Sequence, residues 1–590
     1  MNLLARLLRA AAVASLLAAP AIAAAAPPSA GLKAVIAAFD RYQRDVDPIA
    51  AGLEGDRAAL SRWPDDSPKA IAARKATLAS IQRRLALVKP AGLAPEERLN
   101  RDFLARIVRD QLEGLAFDQE REPFSTDNGP FDTADYVART TAIHDQADAE
   151  AWLARLHALA GYYDVEMANA RRGISTGFVQ PRYIVEKVIK AAKGQVEQPV
   201  AESPLLTPLQ LLPSTISAAE QASLRQRALD AVSTEVRPRE RAYVALLTDE
   251  YLPKARPGLA ARDLPDGERY YAWLARHYTT TALTPDQIHA LGEKEVARIR
   301  AEMDAVIAAT GFKGSFAEFL ADLRSNPKFY VTSRQAMLEK ASEIAKRIDD
   351  KLPAYFATLP RLTYGVRPVP AEIEDGYTTG RYFQGSPDQG IAGGYMVNTS
   401  HLDQRPLYEL PALTLHEAVP GHHLQIALSQ ERKDLPYFRR NADVTAYTEG
   451  WGLYSESLGE EMGIYRDPYE RFGRLSYEMW RACRLVADTG VHWLRWSREQ
   501  AAACFVQNSA LAQKNIDVEL DRYISWPGQA LAYKVGELKL QALRKRAEAA
   551  LGPRFDIRRF HDQILLPGPL PLDLLDQRID AWIKAETGRK

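Results

Sequence analysis

Three of the ten histidines fall within eight residues, His416, His422 and His423, and Glu417 directly follows the first of them. A His-Glu pair with a further His on a helix is how zinc peptidases build their site. Two imidazoles bind the metal, and the Glu takes a proton from the water that the metal polarises. The usual spacing, HExxH, places the histidines one turn apart on one face, about 40° from each other. Here His416 and His422 are six residues apart, about 240° and 9 Å along a straight helix. His416 and His423 share a face but are separated by about 10.5 Å. A shared ion therefore requires a break in the helix. Pro420 and Gly421 lie where it is needed: proline removes a backbone donor and glycine permits a bend. Without that break the cluster would be a polar helix face with a kink.

A third ligand comes from Tyr447–Glu456, which reads as a helix with Glu449, Leu453 and Glu456 on one face. His₂Glu is a standard catalytic zinc set. Glu449 lies 27 residues after His422, enough for a loop and a returning helix. Its apolar and aromatic neighbours argue against a solvated carboxylate, since burial without a partner is costly. Glu456 is a candidate to orient a ligand imidazole, or else one half of a salt bridge.

The elements that must position these residues are mostly helices. Thr284-Pro285-Asp286 starts one that runs with helical period to Gly311. Ser315 with Glu318, and Ser497 with Gln500, are capping-box patterns. Gln198–Thr215 carries four prolines and reads as an irregular connection near a lobe boundary. Residues 361–400 hold seven glycines among tyrosines and valines, which predicts short antiparallel strands just ahead of the histidines. Within them, Gly393–Asn398 is the candidate sheet edge for pairing with an extended peptide.

Composition sets outer bounds. The 590 residues carry 76 basic and 76 acidic side chains, and this balance excludes the basic excess of a nucleic-acid binder. Two cysteines, Cys483 and Cys504, exclude a disulfide scaffold and a cysteine-type zinc module; a bridge between them has no support in the sequence. Residues 1–26 have Arg6 and Arg9, the apolar run Ala10–Ala19 and the small-residue site Ala21-Ile22-Ala23, which together read as a signal peptide. Its removal leaves the chain at about −2. There is no cysteine near the cleavage point to carry a lipid, and no later run of about 18 apolar residues. The expectation is a periplasmic or secreted protein with no membrane anchor after cleavage.

The strings His-Glu-x-x-Pro-Gly-His-His-Leu-Gln, Glu-Gly-Trp-x-Leu-Tyr-x-Glu and Trp526-Pro527-Gly528-Gln529-Ala530-Leu531-Ala532-Tyr533-Lys534 resemble the bacterial domain-of-unknown-function 885 proteins. The resemblance runs through most of the mature chain. That family is similar to the thimet oligopeptidase and neurolysin-like zinc peptidases. The resemblance implies a mainly α, two-lobed fold around a deep channel, with the small sheet beside the metal-binding helix. It divides the chain into an N-terminal helical lobe (27–260) and a catalytic helical region (261–590). Matching Gly-His-x-Leu makes His422 the second ligand after His416 and Glu449 the third, with His423 as the alternative to His422. The same resemblance suggests Tyr533 as the hydroxyl that stabilises the tetrahedral intermediate.

Arg484, Asp488 and His492 form one helical stripe in which the carboxylate could fix the imidazole. His492 is then a candidate to bind a substrate carbonyl, or a member of a buried polar ladder. The expected function is an exported Zn2+-dependent metallopeptidase acting on short peptides, with Glu417 as the general base. A zinc hydrolase of a non-peptide amide or ester, and a catalytically silent peptide-binding scaffold, are the alternatives.

Overall fold

The computed structural model describes residues 30–588 except 127, 372, 373, 375, 376, 388 and 389. The signal segment expected at 1–26 lies outside the described residues. Helix accounts for 72% of the chain and strand for 3%, so the fold is mainly α, as the periodicity predicts.

Among the described residues two large hydrophobic cores, with two smaller clusters besides, organise the helices. The smaller of the two cores is built within residues 124–255 around Trp152, Leu156 and Tyr163 of α1 (Gln146–Thr176), with Tyr243 of α2 (Arg237–Ala245). The larger gathers most of the C-terminal half. It also takes Leu32, Phe39, Phe103 and Val108 from the first helices, and Phe39 and Phe103 both meet the Phe438 ring. Residues far apart in the chain thus close one core around the histidine segment.

Capping chemistry sets several boundaries. In α3 (Pro285–Thr310), Thr284 and Gln287 exchange capping bonds and Gly311 ends the helix at φ +75°. Ser315 with Glu318, and Ser497 with Gln500, form the other two boxes.

The segment before the histidines forms three strands, β1 (Tyr364–Pro368), β2 (Gly380–Phe383) and β3 (Gly393–Val397), in the order β1-β3-β2. The sheet is mixed, not antiparallel throughout. β1 runs parallel to β3 with Tyr364 opposite Gly393, while β2 is antiparallel with Tyr382 opposite Tyr395. Composition signals strands but not their pairing, and the chain visits the β2 position before returning to the middle. Gly393–Val397 is therefore the central strand and has no free edge; β1 and β2 are the edge strands, and Tyr364 and Tyr382 on them both meet the His423 ring.

Six further helices bear on the site: α4 (Leu410–Glu417), α5 (His422–Glu431), α6 (Thr445–Glu461), α7 (Pro468–His492), α8 (Gln513–Ser525) and α9 (Ala532–Leu551). Cys483 of α7 is disulfide-bonded to Cys504 in the helix Arg498–Asn508. Sequence offered no reason for that pairing, because it depends on two helices packing side by side. Among the described residues, no helix is long and apolar enough to cross a membrane.

Candidate metal centre

The helix that begins at Leu410 stops at Glu417 and a new one starts at His422. Between them Ala418 leaves helical space at φ −94°, ψ −116°, and Gly421 does so at φ −70°, ψ −129°. The break is closed by Gly421 N–H donating to Leu415 O and His423 N–H to Ala418 O, each at 3.0 Å. Trp451 Nε1–H donates to Pro420 O at 2.8 Å and pins it to α6. Gly421 is required here by close approach: a Cβ would lie 1.9 Å from His416 O.

The break turns the two rings toward each other. Their centroids are 4.7 Å apart and their planes nearly perpendicular, at 88°. Glu449 Oε2 lies 3.3 Å from His416 Nε2 and 3.6 Å from His422 Nε2. Ligand atoms of all three residues fall within 4.8 Å of one another. An ion held tetrahedrally at 2.0–2.1 Å would space its ligand atoms by about 3.3 Å, so the donor set and its spacing fit zinc. His416 and His422 are buried, and Glu449 is half-buried.

Further residues hold this group in place. His416 Nδ1 is 2.8 Å from Glu456 Oε1, which leaves Nε2 to face Glu449. Arg481 of α7 stands 3.7 Å behind the same Glu456 oxygen. Gly452 provides the space for the ring, since a Cβ there would lie 2.5 Å from His416 Cε1. Burial alone would push the His416 ring down, but bonds to Glu449 and Glu456 and the charge of Glu417 outweigh it and raise it to about 10. Burial would likewise lift Glu449; the charge of His422 and bonds from both histidines instead hold it well below the usual carboxylate range. Carboxylates outnumber imidazoles here, an electrostatic setting suited to a cation.

Glu417 ends α4 with its Oε2 accepting the backbone N–H of Tyr382 on β2, at 2.7 Å. The edge strand thus orients this carboxylate. His423 points elsewhere: its Nε2 lies 3.0 Å from Leu362 O and its Nδ1 3.2 Å from the Tyr382 hydroxyl. Burial pushes its ring down to about 4. The structure thus brings His422, and not His423, to His416 and Glu449.

The other sequence candidates, His492 and Tyr533, are not among the three converging residues. His492 is fully buried with both nitrogens bound to backbone: Nδ1 accepts from Ala261 N–H at 3.1 Å, and Nε2 meets Tyr523 O at 2.8 Å. No ring atom is left for a substrate carbonyl. Nor does Asp488 orient it; that carboxylate takes the Tyr271 hydroxyl at 2.6 Å and Gly528 N–H at 3.1 Å. His492 therefore belongs to the buried polar ladder. Tyr533 lies on α9 three residues before Gly536, whose backbone meets Gly450, the neighbour of Glu449. Its hydroxyl accepts from Arg522 Nη2 at 3.3 Å, and the Arg484 guanidinium covers its ring at 4.1 Å. Sequence reasoning missed Gly452, Arg481 and the Tyr382 N–H. Of these only Gly452 left a trace, as a glycine inside a helical pattern.

The search of curated proteins gives no match. Solved structures share the fold, and two of them are compared with this chain. One is a "putative lipoprotein" from Colwellia psychrerythraea, 29% identical, with a TM-score of 0.89 and coverage of 94% of this chain and 99% of that one. The other is a "putative lipoprotein of unknown function" from Shewanella oneidensis, 18% identical, with a TM-score of 0.69 and coverage of 92% and 99%. The second likeness is one of fold alone. Residues 48–579 match the family described as "Bacterial protein of unknown function (DUF885)", and over that span the chain belongs to this family.

Proposed function

We propose that the protein is an exported zinc-dependent peptidase acting on short peptides. The observation that carries this reading is the convergence of His416 Nε2, His422 Nε2 and Glu449 on one point, beside Glu417. The match of Gly421-His422-His423-Leu424 to the Gly-His-x-Leu of the thimet oligopeptidase and neurolysin-like peptidases points the same way. Zinc, when bound, supplies a Lewis acid that polarises a carbonyl and brings water toward a pKa of about 7.

The chain's own residues do the rest. Glu417 is held at Oε2 by the Tyr382 N–H, so its Oε1 is the atom that takes the water proton and returns it to the leaving amine. Glu456 fixes the His416 ring so that Nε2 faces inward. Tyr533, on the helix packed against α6, is the proposed donor to the developing oxyanion, a role that requires its hydroxyl to leave Arg522. Export is supported by the signal-like segment 1–26 and by the Cys483–Cys504 disulfide, which belongs to oxidising compartments.

The test is hydrolysis of a panel of short peptides, small amides and esters by zinc-loaded protein and by Glu417→Gln. Peptide cleavage that falls by roughly 10²–10⁴ in the variant, with zinc stoichiometry unchanged, is expected. Cleavage of esters or small amides alone would move the substrate class. Undiminished activity in the variant would remove Glu417 from the chemistry.

A further inference from the structure

His423 turns its ring to the sheet, and this one buried imidazole meets all three strands. Its Nε2 lies 3.0 Å from Leu362 O, two residues before β1; a carbonyl only accepts, so Nε2 carries the proton. Nδ1 is then the acceptor, and the Tyr382 hydroxyl of β2 donates to it at 3.2 Å. The Tyr364 ring of β1 lies 4.8 Å from the imidazole between centroids. On β3, a Cβ at Gly393 would stand 2.7 Å from Nδ1 and 2.8 Å from the Tyr382 hydroxyl, so the glycine leaves that bond its space.

Tyr382 carries this contact on to Glu417. Its hydroxyl reaches His423, while its backbone N–H donates to Glu417 Oε2 at 2.7 Å. β2 is four residues long and pairs with β3 along one side. A short strand with one bonded neighbour opens more readily than a central one, so an anchor on the Tyr382 ring also steadies its N–H.

The need for such an anchor comes from the helix break. Glu417 ends α4, His422 begins α5, and residues 418–421 between them are not helical. Adjacent helical positions diverge by about 100°, so His422 faces the metal centre while His423 faces the sheet. From α5 the path returns through Tyr382 to Glu417, and two hydrogen bonds span the break. A general base needs that alignment, since a displacement of about 1 Å can cost about 10²-fold in rate.

We propose that His423 is a positioning residue, acting through Tyr382 to hold Glu417 in register with the metal ligands across the 418–421 break. Glu417 as the base rests on the peptidase reading; the brace itself does not.

The experiment joins hydrogen exchange at the 382 amide with steady-state peptide hydrolysis, both on the full-length protein as purified. Tyr382→Phe removes one oxygen and keeps the ring; His423→Leu removes the acceptor. Each should speed exchange at 382 roughly 10-fold and lower kcat roughly 10–100-fold, with KM and zinc stoichiometry unchanged. The double variant should be no worse than the poorer single one, because both substitutions cut the same bond. Tyr382→Phe keeps the test available if His423→Leu misfolds. Unchanged exchange or unchanged kcat in that variant overturns the proposal, as does a loss confined to KM, or losses that multiply in the double variant. Faster exchange in a protein that cleaves no peptide would sink the peptidase reading alone; cleavage with exchange at 382 unmoved would sink this proposal alone.

Discussion

His416 is held from both sides by carboxylates: Glu456 Oε1 lies 2.8 Å from its Nδ1, and Glu449 Oε2 lies 3.3 Å from its Nε2. A ring gripped at one nitrogen presents the other with a fixed direction and tautomer, which is what a metal ligand requires. Arg481 lies 3.7 Å from that same oxygen of Glu456 in a fully buried place, so the support reaches back to α7.

Glu456→Gln tests that support. The amide keeps the volume but weakens the bond to Nδ1. Zinc affinity should fall about 10–100-fold, read by competition with a chelator of known strength. Unfolding should change far less than for a core deletion. Unchanged affinity would reduce Glu456 to a structural salt bridge.

Gly452→Ala tests the space around the same ring. The added Cβ would stand 2.5 Å from Cε1 and 2.8 Å from both ring nitrogens of His416, so the imidazole must move. Overpacking of this kind costs about 1–3 kcal/mol. Stoichiometric zinc should be lost from a protein that still unfolds cooperatively. A variant that binds zinc normally would show that the ring is placed otherwise.

Much of this arrangement is legible in the sequence. Helix starts are written locally, as at Thr284–Gln287, because a capping box is a contact between residues three apart. The need for a break at Pro420-Gly421 follows from arithmetic on helix rotation. What the break does next is not local. Once helical geometry lapses, rotation no longer says whether His422 or His423 faces inward; packing decides, with Tyr382 and Leu362 claiming His423. The same holds for β3 inserting between β1 and β2, for the Cys483–Cys504 bond, and for His492, whose partners Ala261 and Tyr523 are distant in the chain.

His492 also gives the pH dependence a sign. Burial pushes its ring down to about 3, below the ordinary 6.5. Between those values the unfolded chain binds a proton that the folded protein does not. The stability His492 contributes is therefore complete above about pH 6.5 and is lost as the pH falls toward 3, at about 1.4 kcal/mol per pH unit. Asp488, lifted to about 7 by burial, acts in the opposite sense but is common to wild type and variant. The advantage of wild type over His492→Gln in urea unfolding should shrink by that slope between pH 6 and 4.5. A constant difference would mean that the ring is protonated in the fold.

The Cys483–Cys504 bridge separates two ways in which α7 could serve the site. The cysteines are 21 residues apart, and closing a loop of that size restricts the unfolded chain by about 3 kcal/mol. Cys483 precedes Arg484 directly and follows Arg481 by two residues, so the bond could also hold the arginine face of the helix in register. The residues flanking Cys483 on α7 are themselves buried, and that packing should hold the face without the bond. Replacing both cysteines by alanine should therefore lower unfolding stability by about 2–4 kcal/mol while zinc affinity stays within about twofold. If affinity instead falls in step with stability, the bridge positions Arg481 and through it Glu456, and the metal centre extends as far as the disulfide.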